Sequence, residues 1–570
     1  TMVAGFGLIP NMGTRMIVML MGLGLGALAV YYAWSSQQQG AVRLRTTDSD
    51  GAGPVPTRGY SPALVSALGA VFVGNASFMV YELAASRLAT QYLGHSIYTW
   101  TTLLGVVLAG IMLGNYLGGR WSDRYQPDVL LPWFFAASCL FALASLPLYR
   151  WLAQGVLLDN FMWSNRIVAQ IILAFFVPSV AMGTIGPAAA RKAIALSALP
   201  GHTVGLIYAA GSFASVVATF VTGYVLVDTL WPIGTIMLLS VVLAMSSFVW
   251  GPRSRAWVIA MPTLLFALIL AVTPNPAVQQ FAGAVGLREQ DGPDFVFRDH
   301  SQYSWIAVTA SPLDVSERKL YLDQLLHSTA DIDAPLTLEY EYEQIYNGVL
   351  SAYYPEDRPI RANVLGGGGY VYPRYLELTR PNSYIETVEI DPAVTEAAHA
   401  GFGLPRDTTI AIYEMDARNR IEDLVREGGE KYDCIFGDSF NQYSVPFQLT
   451  TLEFTHHLHD LLTEDGIYFM NIIESMQRGA FLGSVVRTMR LVFPYVYAIR
   501  TDDADTIRDT FVILGAKRQL DLEPVIRSLR IKGFEGGVLL ESEIAEIIER
   551  NDCPVLTGDY GPVSSMFGVF

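Results

Sequence analysis

Apolar and polar positions divide the chain into two unlike halves. Eight apolar runs, at about residues 16–34, 62–84, 99–118, 129–149, 167–188, 205–227, 232–250 and 256–273, are each long enough to cross a bilayer as a helix. The first is too long for a signal peptide and lacks a clear small-residue cleavage site, so an anchor helix is expected, followed by a polar linker over 35–61. From about residue 294 the period shortens to that of strands. Phe295–Arg298, Tyr303–Thr309 and Lys319–Leu326 predict a small antiparallel sheet. A helix from about Pro335 to Tyr353 precedes a regular alternation. Strands are expected at Asn363–Leu365, Tyr384–Ile390, Thr409–Met415, Tyr432–Phe436 and Gly466–Asn471, with helices between them, including Leu449–Leu462. Such alternation calls for a parallel sheet covered by helices on both faces. The expected domains are therefore a multi-pass α-helical membrane domain over 1–273, a linker and small antiparallel β-sheet over 274–334, and an α/β domain over 335–570.

Composition sharpens this division. Of 570 residues 52% are hydrophobic, more than soluble averages allow. Residues 1–273 hold 13 Lys/Arg and 7 Asp/Glu (net +6), leaving 24 and 46 (net −22) for the remainder. An acidic soluble half without a basic run argues against nucleic acid as a partner, would attract a cationic ligand, and is equally what keeps a domain soluble. The three cysteines form no disulfide or zinc spacing. Within the apolar half, Gly110, Gly114 and Gly118 lie on one helix face and let a neighbour approach closely. Pro178, Gly183, Gly186 and Pro187 interrupt the fifth run, marking either kinked packing or a cavity. Glu82 is an intramembrane carboxylate or reaches the interface. Gly119–Arg124 resembles the short basic loop of major facilitator transporters, but eight runs are too few for that fold. With eight helices, the basic loops fall on the side opposite the C-terminal domain, which would place that domain outside the cytoplasm, and one helix more or fewer reverses the answer.

Candidate chemistry starts at Val364-Leu365-Gly366-Gly367-Gly368-Gly369, a strand that runs into glycines and then a helix. Bare backbone there approaches a nucleoside, and the helix N-terminus favours electron-rich atoms. Glu389 follows 23 residues after Gly366 at the end of the next strand, where an acid accepts both ribose hydroxyls. Asp416 ends the third strand and is placed for an adenine amino group, with Asp391 and Ala417 beside these two acids. Asp438 closes the fourth strand, beyond whose carboxyl end ligands bind, so it is a candidate base for an attacking amine. The ordered set predicts a Rossmann-like, methyltransferase-type domain. His456, His457 and His459 with Glu453 include metal-like spacings but no second carboxylate cluster, and no metal is expected.

At these residues the segment from about 294 to 515 resembles the spermidine synthase (polyamine aminopropyltransferase) family, and the whole chain resembles its bacterial group fused to N-terminal transmembrane helices. The resemblance implies decarboxylated S-adenosylmethionine as co-substrate, ribose on Glu389, adenine on Asp416, the attacking amine on Asp438 and the acceptor chain against Tyr342. It further implies a place in the bacterial inner membrane, contact with the lipid bilayer, a small amine substrate, and either a homo-oligomer or a membrane complex. Several positions depart from the family. Gly369 replaces the aspartate of the glycine loop, Asn441 replaces the second acid of the Asp-Ser-Ser-Asp loop, Ser304 and His327 stand where glutamines touch the donor, and Glu343-Gln344 replaces a His-Glu pair. Loss of the loop acid removes a partner for the donor's terminal ammonium and a repulsion of a donor carboxylate, which brings intact S-adenosylmethionine into question as ligand. Methyl or aminocarboxypropyl transfer is then one alternative, and a catalytically degenerate scaffold or sensor subunit the other.

Overall fold

In a computed structural model of the chain, the described residues are 16–24, 26–27, 31 and 61–566, apart from 156–157, 159–160, 162, 198, 290–293, 440–445, 477 and 503–508. The expected run at 16–34 thus lies partly outside the described residues.

The apolar half is a helical bundle with the order Pro62–Leu93, Ile97–Arg124, Pro127–Gln154, Trp163–Gly183, Ile185–Ala195, Pro200–Val221, Val227–Val249, Ala256–Val272 and Pro276–Ala284. Its helices start where the sequence offers caps. Ser61 accepts from Leu64 N–H just before Pro62, and Ser96 accepts from Thr99 N–H. Among the described residues five helical stretches are long and apolar enough to cross a membrane, and the bent pair Ala256–Val272 and Pro276–Ala284 adds a sixth. The longest stretch, Pro200–Val249, has 50 residues and measures about 75 Å at 1.5 Å per residue, more than twice a hydrocarbon core. It is two helices joined at a kink, because Trp231 breaks the helical backbone (φ 59°, ψ 169°). Trp231 packs on His300 of the soluble half, ring centroids 4.6 Å apart, whereas Trp250 at the far end bonds Ser66 O at 3.1 Å, near the start of the first described helix.

The glycine face expected at Gly110, Gly114 and Gly118 meets the interrupted fifth run. A Cβ added at Gly114 would lie 2.3 Å from Val180 O, and one at Gly183 would lie 2.9 Å from Ile111 O. The interruption at Gly183 is therefore close backbone packing between Ile97–Arg124 and Trp163–Gly183.

The soluble half begins with a four-stranded antiparallel meander of β1 (Phe295–His300), β2 (Trp305–Ala310), β3 (Glu317–Leu322) and β4 (Leu325–Asp331). Three strands were expected. The alternation over Lys319–Leu326 conceals a tight turn at Asp323, whose φ of 55° reverses the chain while its carboxylate accepts from Trp305 N–H at 3.0 Å. The following helix starts at Glu341 and not at Pro335. Next come β5 (Arg361–Leu365), β6 (Tyr384–Glu389), β7 (Ala411–Glu414), β8 (Tyr432–Gly437), β9 (Leu462–Glu474), β10 (Tyr495–Arg500), β11 (Asp509–Ala516) and β12 (Gly537–Val538). They form one sheet in the order β12-β10-β11-β9-β8-β5-β6-β7. Strands β7, β6, β5, β8 and β9 are parallel neighbours, and β11 inserts antiparallel between β9 and β10. The order reverses direction at β5, which places a crevice at the carboxyl ends of β5 and β8. Beneath it Phe436 of β8 stacks on Phe469 of β9 at 4.6 Å, with Tyr346 and Tyr372 edge-on around them.

Candidate active site

At that switch point lies a cavity of about 550 Å³. Gly366 and Gly368 form its floor, Val388, Glu389 and Ile390 the β6 side, Asp416 and Ala417 the β7 side, and Asp438 and Ser439 the β8 end. A surface hollow of about 660 Å³ between the helices Glu341–Tyr353 and Glu523–Ile531 holds none of the expected site residues.

Local backbone explains the glycines. Gly366 has φ 106°, and a Cβ there would lie 2.3 Å from Asp438 O, so the strand end and the Asp438 turn touch through bare backbone. Gly368 also has positive φ, 50°. Glu389 accepts from Gly367 N–H at 2.8 Å and from Asp391 N–H at 3.0 Å, which holds the carboxylate across the end of the glycine turn. Its burial raises the carboxyl above the usual range, against the pull of those N–H donors.

Asp438 is gripped at both oxygens. Tyr342 Oη donates to Oδ2 at 3.0 Å and Asn471 Nδ2 donates to Oδ1 at 3.0 Å. Enclosure away from water raises its carboxyl, while these two donors oppose the shift. Such a carboxylate is fixed in place and more basic than a solvated aspartate. Next to Tyr342 on the same helix, Glu343 is buried and its Oε2 has no hydrogen-bond partner. Burial, and then the charge of Asp438, push Glu343 up to about 8.

Among the other expected site residues, His327 of β4 lines the cavity, and burial lowers it to about 4, so it is neutral at physiological pH. Ser304 does not line the cavity. Its backbone closes the β1–β2 turn on Ser301, and Gln302 and Tyr303 reach the cavity instead. Gln302 was missed because the strand pattern was aligned without the tight turn at Ser301. Asp391 is a helix cap, accepting from Ala393 N–H at 3.0 Å and from Ser301 Oγ at 2.5 Å, and it is not part of the wall. Gly367 and Gly369 point elsewhere. A Cβ on Gly369 would meet the Phe402 ring at 2.7 Å, so no acid fits where the family has its loop aspartate. Tyr370 packs away from the cavity, its hydroxyl 2.9 Å from Thr395 Oγ1. Asn441 lies outside the described residues. Glu453 accepts from Gly558 N–H at 3.0 Å and is turned to that loop.

The remaining wall comes from the helical half. Ser86, Arg87 and Thr90 near the end of Pro62–Leu93, His95 in the following turn and Trp100 at the start of Ile97–Arg124 all line the same cavity. Arg87 ties the two halves together by donating to Ser301 O at 2.8 Å and Tyr303 O at 3.2 Å. Nothing in the sequence pattern marked these five residues, because the contact joins positions more than 200 apart.

A doubly wound sheet with a glycine turn and acids at successive strand ends defines a Rossmann-like domain. No family model matches the chain. A polyamine aminopropyltransferase from Vibrio vulnificus (strain CMCP6) is 34% identical over 116 residues, 20% of this chain and 38% of that protein's length. Polyamine aminopropyltransferase 2 of Aquifex aeolicus (strain VF5) is 23% identical over 469 residues, 80% of this chain and 88% of that protein. A stretch of that length reaches well into the helical half. The crystal structure of a probable spermidine synthase from Corynebacterium glutamicum ATCC 13032 aligns over 46% of this chain and 96% of that one at TM-score 0.40 and 23% identity. The chain is similar to the polyamine aminopropyltransferases.

Proposed function

We propose that the protein is a membrane-anchored aminopropyltransferase, moving the 3-aminopropyl group of decarboxylated S-adenosylmethionine to a primary amine. The observation that carries this reading is the open cavity that joins Gly366, Gly368, Glu389 and Asp416 to the clamped carboxylate of Asp438. Glu389 and Asp416 hold the nucleoside through its ribose and adenine, which directs the sulfonium toward the β8 end. An ammonium binds Asp438 and gives up one proton to it. The freed nitrogen attacks the methylene next to sulfur, a C–N bond forms, the C–S bond breaks, and methylthioadenosine leaves with the bonding pair. Sulfonium is already a good leaving group, so positioning and deprotonation supply most of the rate.

A second reading keeps the pocket and uses intact S-adenosylmethionine for methyl or aminocarboxypropyl transfer. It is favoured by Gly369, where Phe402 and Ser328 leave no room for an acid that would hold the aminopropyl ammonium. Parallel calorimetric titration of the detergent-purified protein with decarboxylated and intact S-adenosylmethionine tests both. Tighter binding of the decarboxylated donor, with methylthioadenosine released on adding an amine, is expected. Tighter binding of the intact donor selects the second reading, and no heat with either leaves a scaffold or sensor subunit. Placement in the bacterial inner membrane is part of the same proposal, and the long apolar helices are compatible with it.

A further inference from the structure

Within the part of the cavity wall that the helical half supplies, Arg87 reaches furthest into the soluble half. Its guanidinium forks between two carbonyls of the β1–β2 turn, Nη2 donating to Ser301 O at 2.8 Å and Nη1 to Tyr303 O at 3.2 Å. Two buried acids, Asp323 of the β3–β4 turn and Asp391 of the cap after β6, lie close enough for their charges to act on it. The carbonyls fix its direction and the acids balance its charge, so a cation is tolerated at the junction of the two halves.

The turn that Arg87 holds is connected in its own right to the donor side. Ser301 Oγ donates to Asp391 Oδ2 at 2.5 Å and accepts from Tyr303 N–H at 2.9 Å and Ser304 N–H at 3.0 Å. Asp391 N–H donates to one oxygen of Glu389 at 3.0 Å, and the other oxygen accepts from Gly367 N–H at 2.8 Å. An unbroken path through Ser301 and Asp391 therefore leads from the helix Pro62–Leu93 to the carboxylate assigned to the ribose and to the glycine turn. The same β1–β2 turn sets Gln302 and Tyr303 in the cavity wall. Ser301 and Asp391 are off that wall, so whatever they do for a ligand passes through Glu389 and the turn. Bonds in a buried network reinforce one another, and loosening one end frees the other.

We propose that Arg87 is a positioning residue for the adenosyl donor, through which the helical half sets the affinity of a site built on the sheet. This rests on the assignment of Glu389 to the donor in the transferase reading above. The test titrates the detergent-purified full chain calorimetrically with decarboxylated S-adenosylmethionine and follows methylthioadenosine release with putrescine. Arg87→Gln is expected to weaken donor binding about tenfold, and Arg87→Lys, which keeps the charge beside Asp323 and Asp391 but reaches one carbonyl, about threefold. The loss is expected in the KM for the donor, with kcat within about a factor of two. Ser301→Ala cuts the next link and is expected to weaken the donor about fivefold alone but to add nothing to Arg87→Gln, because both break one path. Losses that multiply would show that Arg87 touches the donor directly, and losses that only track a fall in melting temperature would make its role structural. Either result, or unchanged affinity in Arg87→Gln, overturns the positioning role and leaves the transferase reading standing. No heat from the unaltered chain, shown to be folded by its melting transition, overturns both.

Discussion

Asp438 and Glu343 sit side by side with opposite duties. Asp438 meets the cavity and is held at 3.0 Å by Tyr342 and by Asn471. Replacing it by Asn keeps the shape and both neighbours but removes the base, so turnover is expected to fall by about 10²–10⁴ while donor binding heat stays within error. A variant that still releases methylthioadenosine at the original rate would show that another group takes the proton. Glu343 is a carboxyl raised by burial to about 8, against an ordinary value near 4.5. The folded state therefore holds its proton over a range where the unfolded chain has lost it, and stability falls as pH rises from about 4.5 to 8. Glu343→Gln is expected to remove this loss, worth on the order of a few kcal/mol, so that its melting temperature exceeds that of the original chain more at pH 8 than at pH 5. Equal differences at both pH values would mean that Glu343 is ionised in the fold. At this scale the acids that end strands, Glu389, Asp416 and Asp438, were legible in the sequence, because strand ends of an open sheet converge. Asp391 was misread for the same reason in reverse. Like Asp416 it follows a strand and caps the next helix, but its second carboxylate oxygen is taken by Ser301 Oγ and it lies off the cavity wall.

Two glycine sets show how an element is placed by the absence of a side chain. Gly366→Ala combines a backbone conformation that costs an L-residue about 1–2 kcal/mol with a methyl 2.3 Å from Asp438 O. Donor binding is expected to weaken by at least tenfold, measured calorimetrically, because the turn cannot move without carrying Asp438 with it. In the bundle, Gly114→Leu would put its Cβ 2.3 Å from Val180 O and 2.8 Å from Gly183 Cα, whereas a Cβ at Gly119, the site of a control Gly119→Leu, meets nothing within 4 Å. The first is expected to lower thermal stability in detergent by several degrees and the second to leave it unchanged, by the same melting assay. Equal melting temperatures would show that the helices are held apart by something other than this face. The four-residue glycine spacing and the alternation of strands with helices were both readable, since each reports a local period. The β3–β4 hairpin was not, because alternation of side chains continues through a two-residue turn and only the positive φ of Asp323 reveals the reversal. Strands β10 to β12 also escaped, although β10 and β11 are neighbours in the chain and pair antiparallel.

At the scale of the whole molecule the structure identifies the helix ends on which the soluble half sits. Arg87 bonds the β1–β2 turn and Trp231 stacks on His300, so those ends face the domain. The remote ends carry Arg120, Arg124, Arg191, Lys192, Arg253 and Arg255, with Arg191 paired to Asp123 at 2.5 Å and Lys192 to Asp128 at 2.6 Å. The domain side has Arg87, Arg150, Arg166 and Arg288. Positive charge in short loops favours the cytoplasm, and this count alone would put the soluble half outside. The proposed chemistry makes the opposite demand, since a sulfonium nucleoside donor is made in the cytoplasm and the cavity has to be filled from there. The loop rule expresses a bias, whereas the supply of donor is an absolute condition of turnover. A C-terminal green fluorescent protein fusion is therefore expected to fluoresce in a bacterial host, and an alkaline phosphatase fusion at the same point to be inactive. The reverse pattern would place the cavity beyond the reach of its donor. The acids at the strand ends would then have to be explained by a scaffold that retains the fold of a transferase and has lost the reaction.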